Sequence, residues 1–449
     1  MRKIVLLGFI IAFLNIVQAQ SNLTLYNMKA VPQRLAINPA MAPTCKWYFG
    51  TPALSSVDFS FNSSALALNE LSSSLVPNGD KYTLDMTKLS SVFDNGASIR
   101  TGLNQEWINL GFRIRKSMWT LSINEKIKSR LLVPTDFFKL VFEGNGGANV
   151  GEKFDLGFGI DLIHSREFAL GFNRSFINDK LRLGGRFKYV IGLNAIQTER
   201  NDISFTTTNQ AFTYRVKSDL KINSSLMELD SNTTLNDVLF GNPKNSGFGI
   251  DMGAQLKLNK KISLSASVVD LGIIHWKENT KSTFSSKPNT TYEYKGMDIQ
   301  EFSKDSSGRI SGFQSFKDTL VDVLSLDSSS NLFTTGLLGE FYVGANINIT
   351  ANHNLGALMY GSFYQKEFYP ALTLSWNSQF ARVLGLSVSY TLFKESFMNV
   401  GFGACLKLGP EQFYISTDNA LGSINNNTRN LGVHFGWNHT FGKKKNTKL

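Results

Sequence analysis

The sequence predicts an all-β protein, a transmembrane antiparallel β-barrel of about fourteen strands. Three observations predict it. The N-terminus carries an export signal, apolar alternation persists over stretches about twice the usual strand length of five to six residues, and cations gather on one face of an otherwise apolar strand.

The export signal is short. Arg2 and Lys3 form a positive start, Ile4 to Leu14 is an almost unbroken apolar run, and Val17-Gln18-Ala19 places small residues where a signal peptidase reads, so cleavage is expected after Ala19. A helix needs about 20 apolar residues to span a bilayer, so a retained anchor is the weaker alternative. No cysteine stands at the cleavage point, which argues against a lipoprotein.

No second apolar run long enough for a membrane helix follows. With 35 Phe, 37 Gly and only 10 Pro, the chain suits either a secreted β-sandwich array or a barrel, and no linker or repeat divides it into soluble domains. The formal charge of +11 does not point to nucleic acid, because the chain is exported and its basic residues are scattered along strands. They read as lumen lining and as contacts to anionic head groups of outer-membrane lipid. Five His and two Cys offer no metal-ligand spacing, and no cofactor is expected.

Alternation is the main evidence, because neighbouring side chains of a strand point to opposite faces. Phe154, Leu156, Phe158, Ile160, Leu162, Phe168, Leu170, Phe172 and Phe176 share one parity, and Asp155, Gly157, Gly159, Asp161, Ala169, Gly171 and Asn173 the other. The phase runs through His164 and Arg166, so 154–177 is either one long strand or two joined by a turn at His164-Ser165-Arg166. After Asn178-Asp179-Lys180, Leu181, Leu183, Phe187, Tyr189, Ile191 and Leu193 alternate with Arg182, Gly184, Arg186, Lys188 and Gly192. A cation facing lipid near the midplane costs about 2–4 kcal/mol, so these three must face an interior. The last strand, Leu431 to Phe441, is aromatic-rich and resembles the terminal signal that barrel-assembly machinery recognises.

Candidate strands lie near 54–65, 104–115, 117–130, 154–177, 181–206, 247–258, 262–277, 337–350, 354–365, 369–378, 383–393, 397–408, 411–418 and 431–441. An even number places both termini on one side, the periplasm of a Gram-negative cell. Turns at 178–180, 259–261 and 409–410 suit that side. Excursions at about 66–103, 131–153, 207–246 and 278–336 suit the outside, with one strand expected to be missed or split. Trp107, Trp276 and Trp376 lie near strand ends, where interfacial girdles belong.

Residues 20–53 do not read as wall, since the prolines of Val31-Pro32, Asn38-Pro39-Ala40 and Ala42-Pro43 lack the N–H that pairing needs. The expected organisation is a signal peptide at 1–19, an N-terminal segment at 20–53, the barrel at 54–441 and a basic periplasmic tail at 442–449. The Asn38-Pro39-Ala40 box after a signal peptide resembles the N-terminal hatch of long-chain fatty-acid transporter (FadL-type) barrels. The ordered set of Ala36-Ile37-Asn38-Pro39-Ala40, Gly50-Thr51-Pro52-Ala53-Leu54-Ser55-Ser56-Val57, Gly247-Phe248-Gly249-Ile250-Asp251-Met252-Gly253-Ala254, Asp270-Leu271-Gly272 before Trp276, and Gly409-Pro410 with Tyr414 and Thr417-Asp418-Asn419 resembles more closely a Bacteroidetes-type outer-membrane family of unknown function, related to the barrel that shuttles type IX secretion cargo. The resemblance spans nearly the whole mature chain and implies a hatch lying inside the barrel. No lipid-pocket residues of the fatty-acid transporters carry over. Asn38-Pro39-Ala40 also reads simply as a turn near a strand start.

Asp155, Asp161, Arg182, Arg186 and Lys188 are the charged residues expected to line the lumen and hold such a hatch. Cys45 in the hatch and Cys405 on a lumen face are either a disulfide or two buried thiols. No catalytic residues are expected: a hydrolase needs Ser, His and an orienting Asn or Asp together in space, and although His434, Asn438 and His439 share a strand, nothing marks a nucleophile. Ser315 to Leu326 carries apolar residues at helical spacing, for packing on the rim or for binding a partner. Two functions fit. One is a hatch-gated conduit for a small hydrophobic molecule, with an apolar pocket beside residues 31–45. The other is a structural or secretion-associated barrel with a sealed polar lumen, binding a protein partner through its outer loops.

Overall fold

Alternating residues close into a barrel when each strand finds an antiparallel neighbour and none is left at an edge. The structure, a computed structural model, does this with fourteen wall strands. It describes residues 22–65, 75–78, 81–84, 93, 96–209, 213–227, 244–285, 287–288, 291–294, 326–364, 367–381, 383–393, 396–420 and 429–443. The expected signal peptide, nearly all of the 315–326 stretch and most of the basic tail lie outside these residues.

Strand β1 is built from Cys45–Gly50 and Ser56–Ser63, followed by β2 (Ala97–Ile114), β3 (Ser117–Val133), β4 (Gly159–Phe176) and β5 (Leu181–Thr207). β6 comprises Tyr214–Ser225 and Ser246–Lys257, both paired with β5. β7 comprises Ile262–Trp276, Thr280–Ser285 and Thr291–Tyr294. β8 comprises Leu326–Ser329, Phe333–Gly336 and Glu340–Asn348. The wall continues through β9 (His353–Tyr364), β10 (Glu367–Phe380), β11 (Leu384–Phe393), β12 (Ser396–Leu408), β13 (Glu411–Thr417) and β14 (Asn430–Lys443). Closure comes from β14 against β1, with Val57 opposite Phe435 and Trp47 opposite Phe441.

Each candidate stretch of the sequence corresponds to one wall strand, but several boundaries move. The wall begins at Cys45, so residues 45–50, expected in the hatch, are strand. The excursions expected at 207–246 and 278–336 contain parts of β6, β7 and β8. No turn interrupts 164–166; β4 runs through it with a bulge against β5 between His164 and Ser165. Every connection from an even-numbered strand to the next is short, and both wall ends lie at that same rim. At the opposite rim a helix, Thr135–Glu143, packs Phe138 and Phe142 on Phe93.

The outer face is a continuous apolar band. Leu121, Leu170, Phe187, Phe248, Leu264, Leu374 and Phe435 are all exposed there, which suits hydrocarbon and would be aggregation-prone in water. Near the short-turn rim aromatic pairs form a girdle: Trp47 on Phe441 at 4.0 Å, Trp119 on Phe172 at 4.6 Å and Trp376 on His353 at 5.9 Å. Trp276 departs from the expected girdle. It is fully buried inside the barrel, where its indole N–H donates to Thr335 Oγ1 at 2.9 Å. The cause is an irregularity around Asp270, where pairing with β6 shifts register and φ is +57°. One extra residue swaps the faces of everything beyond it, turning Ile274 and Trp276 inward.

Candidate functional site in the lumen

The protein's main core sits inside the barrel. Residues 22–44 enter the lumen at the end of the chain that leads into β1 and form two short helices, α1 (Leu23–Tyr26) and α2 (Arg34–Ile37). Leu23, Leu25, Tyr26, Met28, Val31, Ile37 and Met41 pack against Val269, Tyr342, Leu358, Tyr360, Cys405 and Tyr414 of the wall. Each fully buried large apolar side chain contributes roughly 1.5–3 kcal/mol relative to exposure. Tyr26 stacks on Tyr342 at 5.7 Å, and its hydroxyl donates to Ser265 Oγ at 2.9 Å. Burial raises the pKa of that phenol, which keeps its proton in place.

Polar contacts fix the segment's orientation. Asp418 accepts the N–H groups of Leu23 (2.9 Å) and Thr24 (2.7 Å). Gln33 and Asn438 exchange amide hydrogen bonds at 2.8 and 3.0 Å, while Gln33 Nε2 also donates to Ser55 O and Glu106 Oε2. Arg34 Nε donates to the Tyr26 carbonyl at 2.6 Å, tying α2 to α1. Among the described residues, no backbone-to-backbone hydrogen bond joins 22–44 to the wall; every such contact uses a side chain on at least one side.

Asn38-Pro39-Ala40 is both a turn and a wall contact. Asn38 Oδ1 accepts the Ala40 N–H at 2.9 Å, and Asn38 Nδ2 donates to the Ala266 carbonyl and the Tyr26 hydroxyl, each at 3.2 Å. The Pro39 carbonyl accepts from Asn173 Nδ2 at 2.8 Å. The box lies against two wall glycines: a Cβ on Gly184 would lie 2.4 Å from the Pro39 carbonyl oxygen, and one on Gly253 would lie 2.2 Å from Asn38 Oδ1.

Beside the turn, the lumen face holds a buried charge network. Lys188 Nζ lies 2.7 Å from Asp251 Oδ1, is hydrogen-bonded to Asp270, and is 3.7 Å from Glu167. Lys126 bridges Glu167 at 3.0 Å and Asp270 at 2.9 Å, and Arg186 meets Asp251 at 3.3 Å. Arg182 donates to Asn173 Oδ1 at 2.8 Å, and buried Asp161 accepts the Thr198 N–H at 3.2 Å. Asp155 does not line the lumen. It lies in a short strand, Lys153–Asp155, at the long-loop rim, exposed and paired with Lys153 at 2.7 Å, because β4 begins only at Gly159.

Sequence reasoning did not single out Glu167, Lys126, Asp251 or Asp270 for charge. Asp251 was accessible to it, since it alternates between Ile250 and Met252, both exposed on the outer face. Asp270 was not, because a bulge breaks the period there.

Cys45 and Cys405 are buried free thiols, not a disulfide. Cys45 belongs to β1 and Cys405 to β12, three strand steps apart. At about 4.8 Å per step that is roughly 14 Å, against about 4.4–6.8 Å between the Cα atoms of a disulfide. His439 lies at the short-turn rim, 2.9 Å from Glu411 and stacked on Phe49 at 4.3 Å. His434 points inward instead and meets Ser56, Tyr414 and Asn22.

Beside residues 22–44 a cavity of about 160 Å³ reaches into the barrel. Leu25, Ile37, Val269 and Tyr342 contribute apolar wall, and Asp58, Glu106, Lys126 and Arg186 contribute charge. The pocket is therefore mixed, where an apolar one was expected. Among the described residues no group of His, Cys, Asp and Glu is arranged to hold a metal ion.

A model for a family of unknown function, DUF5723, matches residues 39–418. No curated protein matches the chain. Among solved structures, the toluene transporter TodX of P. putida is 8% identical with a TM-score of 0.39, covering 95% of this chain and 96% of its own. A Pseudomonas aeruginosa FadL homologue is 9% identical with a TM-score of 0.39, covering 92% and 93%. The translocator domain of the autotransporter NalP from Neisseria meningitidis is 9% identical with a TM-score of 0.35, covering 95% and 99%. Such remote likenesses carry no argument about ligand or mechanism.

Proposed function

The chain belongs to that family of unknown function, and from this premise we propose that it is a hatch-gated outer-membrane conduit for a small hydrophobic molecule, with residues 22–44 as the gate. The observation that carries the reading is the mode of attachment. The segment fills the lumen yet stays outside the backbone ladder of the wall, so it can leave without breaking the barrel. Leu25 and Ile37 of the segment, with the adjoining wall residues Val269 and Tyr342, supply a surface for an apolar passenger, and the polar remainder of the cavity suits a passenger bearing a polar group. We place the short-turn rim and both termini in the periplasm and the long excursions outside. Outer-membrane lipid covers the apolar band. This is a passage and not an enzyme in its main role.

One observation favours a second reading. The network around Lys188 draws together side chains of β3, β4, β5, β6 and β7 on the lumen face, which suits a permanently shut structural or secretion-associated barrel that binds a protein partner through its outer loops. Lipid and protein mass spectrometry on the protein purified from outer membranes in mild detergent separates the two. A specific retained apolar molecule, lost when Asn38 and Pro39 are replaced, supports the conduit. A stoichiometric protein partner with only bulk lipid overturns it.

A further inference from the structure

We propose that Ser56, His434 and Asn22 form an acyl-transfer centre on the lumen face, acting on small carboxylic esters that enter the cavity. This goes beyond the passage reading and does not depend on it. The sequence offered no nucleophile for the histidines of β14, but the fold brings one from the far end of the chain. Ser56 and Asp58 share the inward face of β1, and Asp58 is the register partner of His434 on β14. Ser56 Oγ lies 2.7 Å from His434 Nε2. The other ring nitrogen, Nδ1, hydrogen-bonds to Asn22 Oδ1, and Asn22 Nδ2 donates to Asp58 Oδ2 at 2.9 Å.

The chemistry of the partners sets the proton positions. An amide oxygen only accepts, so Nδ1 carries the ring proton and Nε2 presents its lone pair to the Ser56 hydroxyl. Asp58 fixes which way the Asn22 amide faces, and thereby the tautomer. Nucleophile, base and orienter thus stand in the order that acyl transfer needs. The Tyr414 hydroxyl lies 2.9 Å from Nε2 and donates its single proton to the Ser55 carbonyl at 3.1 Å, which leaves the Nε2 lone pair to the Ser56 hydroxyl. Asn22, Ser56, Asp58 and His434 all border the cavity of about 160 Å³, with the Ser56 and His434 side chains themselves buried at its edge.

In the reaction, Ser56 Oγ bonds to the ester carbonyl carbon while its proton moves to His434 Nε2. The carbon–oxygen bond to the leaving alcohol then breaks, and Nε2 returns the proton to that oxygen. Water then attacks the acyl carbon while Nε2 takes its proton; the bond from that carbon to Ser56 Oγ breaks, and Nε2 returns the proton to Oγ, releasing the acid and restoring Ser56. His434 and Ser56 are the catalytic residues, and Asn22 is a positioning residue acting through the ring.

The test is labelling of the purified full-length protein in detergent with a small fluorophosphonate, read by intact and peptide mass, alongside hydrolysis of p-nitrophenyl acetate. One adduct on Ser56 is expected, absent in Ser56→Ala and slowed about 1000-fold in His434→Gln. Asn22→Ala shifts the pH of half-maximal labelling, whereas a purely structural contact leaves it in place. No Ser56 adduct on the folded wild-type protein overturns the proposal, as does an equal labelling rate in folded His434→Gln. Should the variants fail to assemble, the wild-type adduct and its position decide alone.

Discussion

A Cβ on Gly253 would lie 2.2 Å from Asn38 Oδ1, so the turn of the lumen segment fits the wall only where the wall lacks a side chain. That contact predicts how to loosen the segment without touching it. Gly253→Ala is expected to raise the maleimide reaction rate of Cys405, which is buried against this segment, by about tenfold for each 1.4 kcal/mol of strain. The barrel itself should stay folded by its heat-dependent gel mobility. An unchanged rate would show that the turn is not seated on Gly253.

Lys188 carries the lumen network, being in contact with Asp251, Asp270 and Glu167. Replacing it by Met strands buried carboxylates, and breaking a buried pair costs about 3–5 kcal/mol. Lys188→Met is therefore expected to unfold at clearly lower temperature, with Lys188→Met combined with Asp251→Asn recovering part of the loss. Equal stability of the single and double variants would mean that the network is not coupled.

On the outer face, Leu170 and Leu121 are register partners in the apolar band. Leu170→Arg is expected to lower the folded fraction in the outer membrane, at a cost of about 2–4 kcal/mol if the site lies near the midplane. The readout is the heat-modifiable gel band. Wild-type levels of folded protein would argue that lipid does not touch this face.

The wall was legible because period-two alternation survives in each strand, and residues such as Leu170 or Phe187 leave no choice of face. The lumen was less so. Cys45–Gly50 is too short and too close to prolines to announce itself as wall. Asp155 kept the phase of β4 while lying beyond its end, since parity says nothing about where pairing stops. Trp276 was misplaced because a single bulge at Asp270 reverses inside and outside. The contact of Ser56 with His434 joins positions far apart in the chain through barrel closure, and that of Asn22 with Asp58 depends on the lumen segment lying back against β1, neither of which a local pattern records.

Cys45 and Cys405 are expected to remain thiols in protein isolated without reductant. Denaturation in the presence of a maleimide should add two labels per chain. A Cys45–Cys405 linked peptide would contradict the separation of β1 from β12 by two intervening strands.

The central claim is that residues 22–44 gate the passage, and ion conductance across planar bilayers tests it most directly. Wild-type barrels are predicted to be closed or rarely open, while Gly253→Ala and a variant lacking residues 22–44 conduct steadily at the same folded yield. If the variant lacking the segment folds and stays as closed as the wild type, the segment is not the gate and the sealed structural barrel is the better account.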